Sequence, residues 1–446
     1  MDRELAAMHI RNENLPQIQY QCGGGIRVRR AAAELDYLTA MDELRRGIDS
    51  QHGVLLASSF EYPGRYTRWD IGFVNPPLQF VGRGRQLSIQ ALNVRGEILL
   101  PEIYRALQHC DAIDQLDGSQ QLIELSVVAD APQVAEEMRS RRPSLISVLR
   151  EIVHCFYSPT DPYLGLYGAF GYDLTFQFEG VEHCQDRNPD DRDLVLYLPD
   201  RITVADHRIE QTLCYSYEFD CCGWNSDKRS ETTGGFRRSG RSQAYVPANA
   251  VQQDCDHEPR EYAIRVERAL EYFRRGDLFE VVPGQVFYEP CKDSPAEVFQ
   301  RLKDSNPAPY GALMNLGEQE YLVAASPEMF VRVVAKQIET CPISGTIKRG
   351  RDAIDDANQI KTLLNSEKDE SELSMCTDVD RNDKARVCEP GSVEVVGRRQ
   401  IEMYSRLIHT VDHVKGVLKP EFDALDGFLA HTWAVTVTGA PKLAAM

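Results

Sequence analysis

Carboxylates and histidines at a few positions of this chain have the types and spacing that chemistry requires. Asp369 and Glu372 stand three residues apart, so on a helix they project from one face, with Glu367 and Glu370 on neighbouring positions. Two carboxylates on one face suit a hard cation such as Mg²⁺, which takes one or two carboxylates and completes its octahedron with water and substrate oxygens. The plain alternative for such an acidic run is a solvated helix face. Glu328 follows the apolar run 322–325, and a carboxyl group at a strand end beside buried surface can hold its proton and donate it; the alternative is an ordinary turn. His409 and His413 are four apart, which raises a zinc reading, but the HEXXH pattern is absent and two ligands do not make a site. A histidine on a helix near polar neighbours is the simpler account. Gly345 and Thr346 in PISGT, and Thr436, Thr438 and Gly439 in TVTGAPK, are small residues whose N–H groups and hydroxyls can approach an anion closely.

The elements that must position these groups are partly legible. Leu35, Leu38, Met41, Leu44 and Ile48 recur every three or four residues after the glycine triplet 23–25 and predict a helix with one buried face. The triplet lacks the spacing of a dinucleotide loop and reads as a turn. Apolar runs at 53–56, 87–94, 194–198, 321–325 and 329–334 predict strands between turn-rich segments. Tyr262, Val266, Leu270 and Phe273 predict an amphipathic helix ended by Gly276, and 356–365 a further helix. The acidic helix from 365 is expected to give way at 378–383, Asp-Val-Asp-Arg-Asn-Asp, to a tight capped loop. The polar, Gly/Ser/Arg-rich stretch 221–259 reads as a linker or long surface loop, dividing the chain into 1–220 and 260–446.

A chain of 446 residues exceeds one compact domain, and 42% hydrophobic with 26% charged residues is the balance of an ordinary globular protein. The net charge of −18, from 50 basic against 68 acidic residues, repels a phosphate backbone, so nucleic acid is not an expected partner. No secretory leader and no membrane-spanning apolar run is visible, which predicts a cytoplasmic protein without membrane attachment. The 12 cysteines are scattered, with no CxxC repeat, and are expected to be reduced thiols.

Taken in order, SPE at 326–328, PISGT at 342–346, E-x-x-M then D-x-x-R-N-D from Glu372 to Asp383, Tyr404-Ser405 before His409, and TVTGAPK resemble the chorismate-utilising enzymes, and within them component I of the anthranilate synthases. The resemblance covers nearly the whole chain. It implies an α+β fold of two facing β-sheets covered by helices, with tryptophan-binding elements in 1–220 and a chorismate-binding region in 260–446. The implied reaction converts chorismate and ammonia, delivered from glutamine by a glutaminase, to anthranilate and pyruvate in tryptophan biosynthesis. By the same resemblance Glu372, with Asp369 beside it, holds Mg²⁺, Glu328 protonates the departing hydroxyl, and His409 serves the elimination. Gly345 and Thr346 form one substrate wall, and Thr436, Thr438 and Gly439 the other. Ser58, Pro309 and Tyr310 match the site where relatives bind tryptophan as feedback inhibitor, although Ala57 replaces a usual glutamate.

Ser344 and Glu280 stand where the aminodeoxychorismate-forming and hydroxylating relatives carry lysine, which favours amination at C2 by ammonia. Phe-Gly-Tyr-Asp at 170–173 and Arg-Trp-Asp at 68–70 are closest to the form in which synthase and glutaminase are fused. The final synthase segment of that family is missing after Met446, so the chain reads as C-terminally truncated. Two alternatives stay open: a synthase that stops at 2-amino-2-deoxyisochorismate, as in phenazine-type pathways, and a non-catalytic remnant.

Overall fold

The computed structural model of the chain describes residues 10–12, 15–59, 68–129, 136–179, 181, 187–224 and 229–446. The first helix, Tyr37–Ile48, starts where the Asp36 side chain accepts from Thr39 N, and it buries Ala40, Leu44 and Ile48. Leu38, counted in the expected stripe, is 75% exposed, because the buried face follows the i, i+4, i+8 row alone. The expected strand 87–94 ends earlier: Gln86–Ala91 is the strand, and Asn93 then caps the helix Val94–Leu107 through Arg95 N and Gly96 N. Asn at a helix start outcompetes continued pairing because it satisfies N–H groups that no carbonyl reaches.

Strand pairing is antiparallel throughout. A ten-stranded sheet runs from Arg27–Leu35 through Gln211–Cys222, Arg201–Asp206, Trp69–Val74 and Gly53–Ala57 to Tyr310–Asn315 and Tyr321–Ser326. It therefore takes strands from both sides of the 221–259 stretch, with Gly311 opposite Ala57 and Asn315 opposite Gly53. A six-stranded sheet includes Leu78–Arg83, Gln86–Ala91, Leu122–Val127 and Leu194–Leu198. Both sheets and the helices Val94–Leu107 and Leu145–Phe156 supply one apolar core, with Phe73, Phe80, Ile89, Leu99, Leu149 and Phe219 almost without exposure. Each such side chain contributes roughly 1.5–3 kcal/mol on burial, so this core dominates the molecule's cohesion.

The stretch 233–259 carries no helix or strand and is laid over the surface: Gln243 N and Tyr245 N donate to Ser50 O and Asp49 O, and Tyr245 Oη donates to Cys291 O. The Glu261–Arg275 helix follows and ends on Gly276 at φ +80, as its sequence predicts. None of its residues is buried, and with Phe279, Val282 and Phe287 it leaves an apolar strip uncovered by any described residue.

A further, five-stranded sheet joins Met329–Val334, Gln337–Cys341, Leu407–Val417, Ile343–Lys348 and Glu394–Met403. Across it lies the 21-residue helix Glu367–Val387, packed also on the helix Ala424–His431. The loop expected at 378–383 does not exist; those residues continue this helix. Ser366 caps its start, and Thr377, Asp383 and Lys384 are buried. Among the described residues no helix is long and apolar enough to cross a membrane, and every described cysteine carries a free thiol.

Candidate functional site

Glu328 sits in the short turn between Tyr321–Ser326 and Met329–Val334, its own N–H donating to Ser326 Oγ at 3.3 Å. Thr436, distant in sequence, donates its hydroxyl to this carboxyl group, 2.9 Å from Oε1 and 3.1 Å from Oε2. Burial pushes the Glu328 carboxyl up to about 7; Thr436 pulls it down, and Asp380 and Glu280 add to the rise. A carboxyl group with that affinity is part neutral near neutrality and can give up a proton.

His409 and Thr346 face each other in the pairing of Leu407–Val417 with Ile343–Lys348, and His409 Nδ1 lies 2.8 Å from Thr346 Oγ1. The Tyr404 ring stands edge-on to the imidazole at 5.1 Å, and burial lowers the pKa of His409, which favours the neutral ring. Both histidines are on a strand, correcting the helical account. His413 lies four residues along the same face and meets Glu339 at 3.3 Å, and strand residues so spaced are about 13 Å apart, too far to share a zinc ion.

Asp369 and Glu372 occupy the start of the long helix. Gly345, at φ +89, lets the sheet approach that helix: a Cβ there would stand 3.1 Å from Asp369 Cβ and 2.6 Å from Thr410 Oγ1. Glu372 pairs with Lys368 at 3.2 Å and also raises the pKa of Glu280, whose rise is due first to burial. Carboxyl groups thus follow one another from Glu372 through Glu280 and Glu328 to Asp380, with the Cys376 thiol donating to Glu280 at 3.7 Å. Like charges crowded in this way favour a divalent cation or protonation. Among the described residues no three His, Cys, Asp or Glu side chains enclose a metal position.

Thr438 is buried with its hydroxyl 3.1 Å from Tyr172 Oη, and Gly439 pairs with Val281 at φ +126, where a Cβ would collide with Glu280 O. The fold therefore brings Thr436, Glu328 and Asp380 into one neighbourhood, Thr346 and His409 into a second, and Gly345 and Asp369 into a third. Reasoning from sequence missed Glu280 as a contributor to the acidic cluster, and Asp380 and Lys384 altogether. The signal for the last two was their i, i+4 spacing, which the loop expectation concealed.

Ser58 lies at the end of Gly53–Ala57, where its N–H donates to the buried Asp70 at 2.9 Å. Next to it Ser59 exchanges hydrogen bonds with Ala308, so Pro309 and Tyr310 stand at the same end of the neighbouring strand. The rest of this expected tryptophan segment, 60–67, lies outside the described residues. A cavity of about 480 Å³ lies at the opposite strand ends, lined by His52, Gln79, Asn315 and Gly317, and holds none of the candidate residues.

A family profile described as chorismate binding enzyme matches residues 113–446. The chain is 52% identical over 432 residues to anthranilate synthase from Azospirillum brasilense, covering 97% of this chain and 58% of that protein. It is 30% identical to anthranilate synthase component 1 from Vibrio cholerae, covering 88% of this chain and 76% of the relative. The fold is similar to that of anthranilate synthase component I from Streptococcus pneumoniae, with a TM-score of 0.57 and 21% identity over 86% of this chain and 77% of the other. It is also similar to the menaquinone-specific isochorismate synthase from Escherichia coli, with a TM-score of 0.55 and 13% identity over 96% and 79% of the two chains.

Proposed function

The chain belongs to the chorismate-binding enzymes, and from that premise we propose that it acts as the synthase component of anthranilate formation, taking chorismate and ammonia to anthranilate and pyruvate. The observation that carries this reading is the Glu328 carboxyl group, half-buried, held by Thr436 and pushed up to about 7. In the first step ammonia bonds to C2 of chorismate while the C4 hydroxyl leaves as water, taking its proton from Glu328. In the second the C2 proton is removed, the C3–O bond breaks, and pyruvate leaves behind an aromatic ring. His409, neutral and oriented by Thr346, is assigned to this elimination. Gly345 and Thr346 on one side, and Thr436, Thr438 and Gly439 on the other, offer hydroxyls and N–H groups to the substrate.

Asp369 and Glu372 would hold Mg²⁺, and the bound ion would neutralise a substrate carboxylate. Crowding between Glu372 and Glu280 supports that assignment. The same reading includes a glutaminase that supplies the ammonia, a cytoplasmic setting, and tryptophan as a feedback inhibitor near Ser58, Pro309 and Tyr310. The two groups lie together at adjoining strand ends, which supports that last role. Incubation of the purified protein with chorismate, Mg²⁺ and concentrated ammonium at mildly alkaline pH tests the reaction. Anthranilate fluorescence rising in step with pyruvate is the expected result; an aminated product without pyruvate, or no turnover by a folded sample, overturns it.

A further inference from the structure

The long helix carries charges that the reaction does not use. Asp383 is buried, and each of its oxygens holds one cation: Arg386 Nη2 on Oδ1 and Lys442 Nζ on Oδ2, both at 2.6 Å. Each cation also reaches one of two successive carbonyls at the end of the Ala424–His431 helix, Arg386 to Ala430 O at 2.5 Å and Lys442 to His431 O at 2.9 Å. Helix C-termini leave such carbonyls without intrahelical partners, and cations are favoured beside them. The fully buried Lys384 completes the arrangement from the next residue, donating to Thr340 Oγ1 at 2.5 Å and to His431 Nε2 at 3.2 Å. His431 Nδ1 lies 2.8 Å from Gly427 O and must be the donor there, so Nε2 is the bare nitrogen that accepts from Lys384.

Lys442 thereby ties the far end of the 432–441 segment back to the residue where it begins. That segment bears Thr436 on Glu328 and Thr438 against Tyr172. A loop closed at its base loses the freedom to carry its middle away, and displacement of a catalytic partner by about 1 Å costs on the order of a hundredfold in rate.

We propose that Asp383 is a positioning residue: it holds Arg386 and Lys442 so that they close the 432–441 loop and fix the Thr436 hydroxyl on Glu328. The inference rests on Glu328 being the acid of the proposed reaction. It predicts that breaking the clamp from either side has the effect of removing the Thr436 hydroxyl. The carboxyl groups are labelled with ¹³C, Glu328 is assigned by its loss in Glu328→Gln, and its titration is followed by NMR in the full chain. Thr436→Val should move the midpoint upward by roughly half a unit to one unit, as loss of one hydrogen bond to the charged form allows. Lys442→Met and Asp383→Asn should each move it in the same direction, add nothing to Thr436→Val, and lower kcat about tenfold or more. Lys442→Arg should keep the parent midpoint. Direct electrostatics makes the opposite forecast: loss of the cation raises the midpoint and loss of the anion lowers it. Opposite shifts, additivity with Thr436→Val, or no shift would overturn the clamp. Should the parent not turn over chorismate, the reaction assignment fails while the titration still decides the clamp.

Discussion

Arg95 and Lys384 are both sealed from solvent, yet their surroundings differ in kind. Arg95 stands in the large apolar core, where Asp200, Glu218 and the carbonyls of Tyr217 and Thr233 take its donors. Those contacts tie the start of the 233–259 stretch to the strand Gln211–Cys222, the turn at Asp200 and the helix Val94–Leu107. Lys384 has Thr340 and His431 as direct partners, and Asp380 and Asp383 as its nearest charges, with the Glu328 carboxyl beyond Asp380. A buried cation held by hydrogen bonds is a structural device in either place. What distinguishes the second region is the crowding of unneutralised carboxyl groups beside it, since low dielectric then favours protons rather than packing.

Glu328→Gln should break the comparison most severely on the catalytic side. Gln keeps the shape and the Thr436 contact but has no proton to transfer, so kcat should fall about 10²- to 10⁴-fold with the melting temperature no lower than the parent's. A variant retaining more than a tenth of the activity would remove Glu328 from the mechanism. On the structural side, Arg95→Ala removes one of the two cations beside the buried Asp200, leaving Arg238 at 3.3 Å, and should cost about 3 kcal/mol in urea unfolding. The Glu328 titration should stay where it is; if it moved, the two regions would not be separable in this way.

The pH dependence sharpens the contrast further. Glu328 has its folded pKa raised above the ordinary carboxyl value, so the folded state binds the extra proton and its stabilising contribution is full below that ordinary value. Both that contribution and proton donation should fade as pH rises through about 7. Parent and Glu328→Gln melting curves measured from pH 4 to 8 should therefore converge in slope only if another group is responsible. The smallest effect is expected at Gly345, where φ is +89 and a Cβ would meet Thr410 Oγ1 at 2.6 Å. Gly345→Ala should cost about 1–2 kcal/mol, read by thermal melting, and should weaken any Mg²⁺ dependence, because Asp369 packs against that position.

Local spacing alone settled much of this molecule. The turn at 23–25, the helices Tyr37–Ile48 and Glu261–Arg275, the Gly276 cap and the strands near 194–198 and 321–334 follow from periodicity and from residues that start or stop an element. The motif residues also declared their chemical types, and Glu328 was readable as a carboxyl group at a strand end beside buried surface. Partnership was not readable, because Thr436 meets Glu328 across 108 residues and His409 meets Thr346 across 63. Nor was the burial of Thr377, Asp383 and Lys384, since the Glu367–Val387 helix is mostly polar and its few apolar residues, such as Leu373, Cys376 and Val387, leave only a sparse stripe to show which face turns inward. A side chain's type and its place on a helix or strand are fixed within a few residues. Whether its charge is stripped of water depends on which distant strands and helices close over it, and only the tertiary structure decides that.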